Sequence, residues 1–142
     1  MRISLTKPKS ISDILFLEPT KNCYHMLDTK RGVIVGKMSV QERQDLYIEF
    51  FDINPNERRK GYGTIFLNFA KTLSEKLGLG GNLRVLAGAT ESGKEIPPHV
   101  FYRKNGFTTD NKKVLDRVDN AIRTGEKLDI ISAPPVYMYF KK

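Results

Sequence analysis

The chain has 142 residues, with 24 Lys and Arg against 16 Asp and Glu, one cysteine and no tryptophan. That length fits one domain, and 39% hydrophobic with 28% charged residues describes a globular chain rather than a disordered tail. The lone Cys23 excludes an intramolecular disulfide and a cysteine-cluster zinc site. The apolar stretches at 14–17 and 136–140 are too short to span a bilayer. The opening MRISLTKPKS lacks the apolar core of a signal peptide, so a cytoplasmic location without a membrane partner is expected.

The formal net charge of +8 points to an anionic partner, whether nucleic acid, a membrane surface or a phosphorylated ligand. The excess is not a basic tail. Residues 53–80 carry five basic against two acidic groups, and residues 111–142 carry seven against four. Part of it sits in one short run, Arg58-Arg59-Lys60.

In chain order, residues 2–6 read as a short strand, and Ser10 to Leu17 as a short helix or turn ahead of Pro19. CYHML (23–27) and VIVGKMSV (33–40) read as strands joined through the turn chemistry of DTKRG, hence a hairpin. LYIEFFDI (46–53) is a third strand with an irregularity. Leu46, Ile48 and Phe50 share one phase of the alternation, while Phe51 and Ile53 take the other. One extra residue near Phe50 and Phe51, a β-bulge, would restore a single apolar face; the alternative is a strand buried on both faces.

Pro55 and the polar run after it end the strand, and Gly61-Tyr62-Gly63 opens a helix. Phe66, Phe69, Ala70, Leu73 and Leu77 form its apolar stripe, with Gly78 as C-terminal cap. LRVLAG (83–88) is a strand, ATESGKEIPP a polar loop, and Pro98 to Asn105 a short helix stopped by Gly106. Val114, Leu115, Val118, Ala121 and Ile122 describe a further amphipathic helix ended by Gly125, and Val136 to Phe140 alternates as a last strand. The order predicts a mixed α/β domain over residues 1–142, with a strand–helix–strand crossover at 46–88.

The crossover carries the most informative chemistry: a strand end, a basic glycine-containing turn, then a helix. Helix N-termini expose N–H groups and partial positive charge, which suits a phosphate, although neither a Walker loop nor the full G-x-G-x-x-G fingerprint is present. Beside these residues stands a resemblance. Arg58-x-x-Gly61-x-Gly63, led by Ile53-Asn54-Pro55, resembles the acyl-CoA-binding motif of the GNAT superfamily of N-acetyltransferases. FYRKNGF (101–107) resembles that family's second signature, Tyr-x-x-x-Gly-Phe, at Tyr102, Gly106 and Phe107.

The resemblance implies the GNAT fold: a mixed, mostly antiparallel sheet with a splayed, bulged central strand and helices on both faces. It implies acetyl-CoA as cosubstrate and a primary amine as acceptor, with the protein acting as a monomer or homodimer. Backbone groups around Arg59, Lys60, Gly61, Tyr62, Gly63 and Thr64, beside Arg58, would hold the CoA pyrophosphate. The strand end Phe51, Asp52, Ile53 would pair with the pantetheine arm. Lys71, Arg103 and Lys104 are candidates for the nucleotide phosphates, with a solvated helix face as the alternative. Glu49, beside the bulge, is the implied general base acting through water, with Asp52 second. Tyr102 is the implied acid for the departing thiolate.

The chain departs from the family pattern in two places. Glu95 stands where many members place an Asn against pantetheine, and residues 111–125 insert an extra helix after the Gly-Phe. No His, Cys and carboxylate cluster has metal-ligand spacing, so no metal is expected. His99, one turn before Tyr102, is a possible ligand contact or an incidental helix residue; Cys23 and His25 read as fillers. Two other readings stand beside the transferase: a GNAT-fold CoA sensor without catalysis, and a basic nucleic-acid-binding domain using Tyr137 and Tyr139. The second is disfavoured because the charge is spread and no RNA-binding signature is present.

Overall fold

The structure, a computed structural model, describes residues 13–88, 98–128 and 133–142. The expected strand at 2–6, nearly all of the loop after Gly88, and Glu95 lie outside those residues. The fold divides into two units, Met1–Gly81 and Asn82–Lys142.

The first unit is an antiparallel meander. β1 (Ile14–Thr20), β2 (Cys23–Asp28), β3 (Val33–Glu42) and β4 (Leu46–Ile53) pair in chain order. β1 replaces the expected helix or turn before Pro19. Ile14 and Phe16 are buried while Leu17 is exposed, a period of two that the uniformly apolar ILFL hides in the sequence. Among the described residues of this unit β1 pairs with β2 alone, and Pro19 lies near its end. The β2–β3 hairpin forms as expected, and Asp28 shapes its turn by accepting the backbone N–H groups of Lys30 and Arg31 at 3.0 and 3.2 Å.

The bulge in β4 is present, one residue earlier than expected. Ser39 pairs with Phe50 and Val40 with Ile48, so Glu49 is the extra residue. The phase switch follows from it. Leu46, Ile48 and Ile53 are buried, Phe51 reaches the ring of Phe66 at 5.6 Å, and Phe50 is 53% exposed.

After a single 3-10 turn (Pro55–Glu57), α1 (Tyr62–Lys76) runs for 15 residues and buries Phe66, Phe69, Ala70 and Leu73, as their spacing dictates. The stripe meets the sheet in an aromatic cluster: Phe16 stacks on Phe69 at 4.2 Å, and Tyr24 meets Phe69 edge-on at 5.2 Å. Leu77 is the cap residue rather than part of the stripe and is 38% exposed. Gly78 N–H reaches the Glu75 carbonyl and Leu79 N–H the Ser74 carbonyl, the Schellman arrangement at the helix end.

In the second unit β5 (Leu83–Ala87) pairs antiparallel with β6 (Val136–Phe140). α2 (His99–Lys104) ends at Gly106, whose φ is +93°. Phe107 is fully buried against Phe140, and Thr108 exchanges two backbone hydrogen bonds with Tyr139 at 2.9 Å. The inserted helix is present as α3 (Lys112–Thr124), with the Asn111 side chain accepting from Val114 N–H at its start and Gly125 capping its end. Val114, Val118 and Ala121 pack with Leu128 and Ala133, whereas Ile122 lies off that face at 37% exposure.

Candidate functional site

The basic turn between β4 and α1 is built from unusual backbone. Arg59 has φ of +63° and Gly61 has φ of +87°, both left-handed. Gly61 is the N-cap of α1, and no side chain caps the helix there. The first N–H groups of a helix have no intrahelical partner, so this helix presents donors and partial positive charge at the end of the turn. Arg59, Lys60 and Gly61 are exposed, and Gly63 and Thr64 are half-buried. The Tyr62 side chain turns inward, 1% exposed, so only its main chain belongs to the turn's surface.

The three cations of the turn are not equivalent. Arg58 is fastened to the end of β4, donating Nε–H to the Ile53 carbonyl at 2.9 Å and Nη2 to Asp52 Oδ1 at 3.0 Å. Lys60 Nζ lies 3.3 Å from Glu57 Oε1. The run is therefore not bare positive charge, since Arg58 and Lys60 both have acidic partners. The Arg58 contact also occupies a lone pair of the carbonyl at Ile53 that was expected to face a pantetheine arm.

Glu57 belongs to a cluster that no local sequence pattern signals. Arg31, from the β2–β3 turn, grips Glu57 with both terminal nitrogens, at 2.6 and 3.2 Å, and reaches Asp28 Oδ2 with Nε at 2.9 Å. Tyr62 donates its hydroxyl to the same Asp28 oxygen at 3.2 Å. Asp28 and Glu57 are 5% and 6% exposed, so their charges are buried with this partner set. Burial pushes the Asp28 carboxyl up, but the Arg31 side chain and backbone and the Tyr62 hydroxyl outweigh it and hold it below its usual value. Arg31 and Lys60 hold Glu57 low against the opposing effect of burial.

Glu49, the bulged residue, is exposed and accepts a hydrogen bond from Gln41 Nε2 at 2.7 Å. Arg43 in turn donates two hydrogen bonds to Gln41 Oε1, at 3.0 and 2.7 Å. The arrangement orients the Gln41 amide so that its N–H end faces the carboxylate. Lys71 on α1 is half-buried, and desolvation lowers its pKa.

In the second unit Tyr102 is 5% exposed, its ring 5.4 Å from Phe101 and 5.2 Å from Phe107. Burial pushes its hydroxyl pKa well up, so it remains protonated throughout the working range. Arg103 donates to both carboxylate oxygens of Asp119, at 2.8 and 3.3 Å, and to the Phe107 carbonyl at 3.2 Å. It joins α2 to α3, and Lys104 beside it is exposed. His99 is fully buried with Nε2 2.9 Å from the Pro134 carbonyl, so it is a packed residue rather than a surface one. Among the described residues no three His, Cys, Asp or Glu side chains form a metal-binding group, and no helix is long and apolar enough to cross a membrane.

The profile of the Acetyltransferase (GNAT) family matches residues 4–107. No curated protein matches the sequence significantly. Several solved structures match in fold. The PaiA N-acetyltransferase of Thermoplasma acidophilum, in complex with coenzyme A, is 18% identical, covering 92% of this chain and 62% of that one at a TM-score of 0.56. A Bacillus anthracis protein named as a streptothricin acetyltransferase, with acetyl coenzyme A, is 17% identical over 84% of this chain and 62% of that one, at 0.59. A Bacillus subtilis acetyltransferase in complex with CoA is 18% identical over 99% and 98%, at 0.56. The chain thus spans under two thirds of the first two proteins. At such identities these likenesses carry the fold, and that fold is the mixed α/β one implied by the sequence motifs.

Proposed function

The chain belongs to the acetyltransferase (GNAT) family, and from that premise we propose that residues 1–142 act as a single acetyltransferase domain that moves an acetyl group from acetyl-CoA to a primary amine. The observation that carries this reading is the turn ahead of α1. Two left-handed residues, Arg59 and Gly61, bring the chain to an uncapped helix start amid cationic side chains. Such a turn suits a pyrophosphate, whose oxygens would take the main-chain N–H groups of residues 59–64. The three neighbours described above whose structures hold CoA or acetyl-CoA support the choice of ligand. On this reading Phe51 to Ile53 border the pantetheine arm and exposed Lys104 serves the nucleotide phosphates. Arg103 would have to leave Asp119 to join it.

The acyl donor supplies an activated thioester; the chain must handle protons and charge. The acceptor arrives as an ammonium and must lose a proton before its lone pair attacks the carbonyl carbon. Glu49 is assigned that proton, through water, and its exposure leaves room for the water. As the C–N bond forms and the C–S bond breaks, charge passes to sulfur. Tyr102 is assigned to meet it as a hydrogen-bond donor. Its raised pKa stands above the roughly 8.5 of a free thiol, so it stabilises the thiolate by donating a hydrogen bond while the proton is supplied finally from solvent or the amine. The lone cysteine, Cys23, lies outside both motifs, and transfer is direct within a ternary complex rather than through an acyl-enzyme.

Thiol release from acetyl-CoA across a panel of polyamines, aminoglycosides, amino acids, peptides and lysine-bearing proteins tests this reading. An amine-dependent release that follows sequential kinetics is expected. Tight CoA binding with no acceptor turnover would instead favour a sensor, and a covalent acetyl-enzyme would overturn direct transfer.

A further inference from the structure

The turn that the proposed function assigns to the pyrophosphate contains a non-glycine residue, Arg59, in the left-handed region. Such a conformation costs of order 1–3 kcal/mol and persists only where the surroundings enforce it. Within the turn, Glu57 N–H reaches Asn54 O at 2.8 Å and Arg58 N–H reaches Pro55 O at 3.5 Å. Side chains at its two ends are anchored outside it. Glu57 precedes the left-handed pair and Tyr62 follows it, and both side chains are buried on the same hairpin turn. Arg31 holds Glu57 at 2.6 and 3.2 Å and Asp28 at 2.9 Å, while Asp28 takes the Tyr62 hydroxyl at 3.2 Å.

We propose that Arg31 is a positioning residue for the anion-binding turn: through Glu57 on one side and Asp28–Tyr62 on the other, it clamps both ends of residues 57–62 in the conformation that aims their N–H groups. The proposal rests on the reading of that turn as the CoA pyrophosphate site. It places a determinant of cofactor affinity 26 residues before the turn, in the β2–β3 connection, with no contact to the ligand required. The geometry explains why the residue is arginine. Three N–H groups in a fixed fork serve two carboxylates at once, which a lysine ammonium on a flexible stem does poorly. It also separates the labour of the cations. Arg31 and Lys60 balance the buried Asp28 and Glu57, so the clamp is close to neutral and does not itself attract the ligand.

The clamp acts on the pyrophosphate turn alone, so its removal should distinguish CoA from pantetheine, which has the same arm without the pyrophosphate. Calorimetry with CoA and amide-shift titration with pantetheine are compared for wild type, Arg31→Met, Arg31→Lys and Tyr62→Phe, with folding checked by circular dichroism. Arg31→Met should raise the CoA Kd about tenfold or more, the equivalent of losing the enforced strain, while the pantetheine Kd stays within about twofold of wild type. Arg31→Lys should fall between. Tyr62→Phe removes one hydroxyl and should show the same split at smaller amplitude, which keeps the test decisive if Arg31→Met does not fold. A CoA Kd unchanged in the folded variants, or CoA and pantetheine weakened alike, would overturn the clamp while leaving the CoA site standing. A wild-type protein with no affinity for CoA would overturn the site itself and the clamp with it.

Discussion

Replacing Gly61 with alanine isolates the backbone geometry on which the site depends. Its φ is +87°, and a Cβ built there meets nothing within 4 Å, so the substitution adds no collision and acts through conformation alone. An L-residue in the left-handed region costs about 1–2 kcal/mol. For a chain of this length that lowers Tm by about 3–6 °C. If the turn relaxes to escape the strain, the N–H groups of residues 59–64 are re-aimed. CoA affinity then falls by up to the same energy, about five- to thirtyfold. Gly78, at the other end of the same helix, is the matched control. Its φ is +78°, and a Cβ there also meets nothing within 4 Å. Gly78→Ala should lower Tm by a similar amount and leave the CoA Kd unchanged. Thermal melts and calorimetry on both variants decide the matter. Equal loss of CoA affinity in the two variants, or none in Gly61→Ala when its amide shifts show that the turn has relaxed, would refute the assignment of this turn.

Glu49→Gln should lower kcat by about 10²–10⁴-fold, with the CoA Kd and Tm nearly unchanged because the side chain is exposed; steady-state kinetics beside calorimetry checks both. Tyr102→Phe should lower kcat with acetyl-CoA, and the deficit should shrink with an acyl thioester of a more acidic thiol, which needs less help on leaving; a constant deficit would argue against the assigned role. His99 has its imidazole pKa lowered by burial, partly offset by its bond to the Pro134 carbonyl. The unfolded chain therefore takes up the proton first, and stability falls as pH drops below about 6.5 towards the lowered native value. Urea unfolding at pH 7.5 and 5.5 should show this fall in wild type and a flatter response in His99→Gln; an identical fall in both would count against it.

The parts of the fold that one local pattern encodes were readable in the sequence. The stripe at Phe66, Phe69, Ala70 and Leu73 has a single spacing that only a helix can bury on one side, and α1 buries it. The bulge was readable because polar and apolar residues change phase together in LYIEFFDI, although the phase cannot say which residue is extra. Pairing of Ser39 with Phe50 and Val40 with Ile48 makes it Glu49. β1 is not legible in the sequence because its four consecutive apolar residues carry no period. What stayed hidden was long-range. Asp28, Arg31, Glu57 and Tyr62 meet only after the hairpin and the helix are in place, and in the sequence Arg31 looks like turn filler and Glu57 like the polar lead-in to a basic run. The acidic partners of Arg58 and Lys60 were hidden in the same way, because only the fold supplies them.

Amide chemical-shift mapping during a titration with CoA reads the turn itself. Saturable shifts are expected, largest at the main-chain N–H groups of residues 59–64 and smaller along Phe51 to Ile53. Saturable binding that leaves residues 59–64 unmoved, or no binding at all, would contradict the reading of this turn as the CoA site.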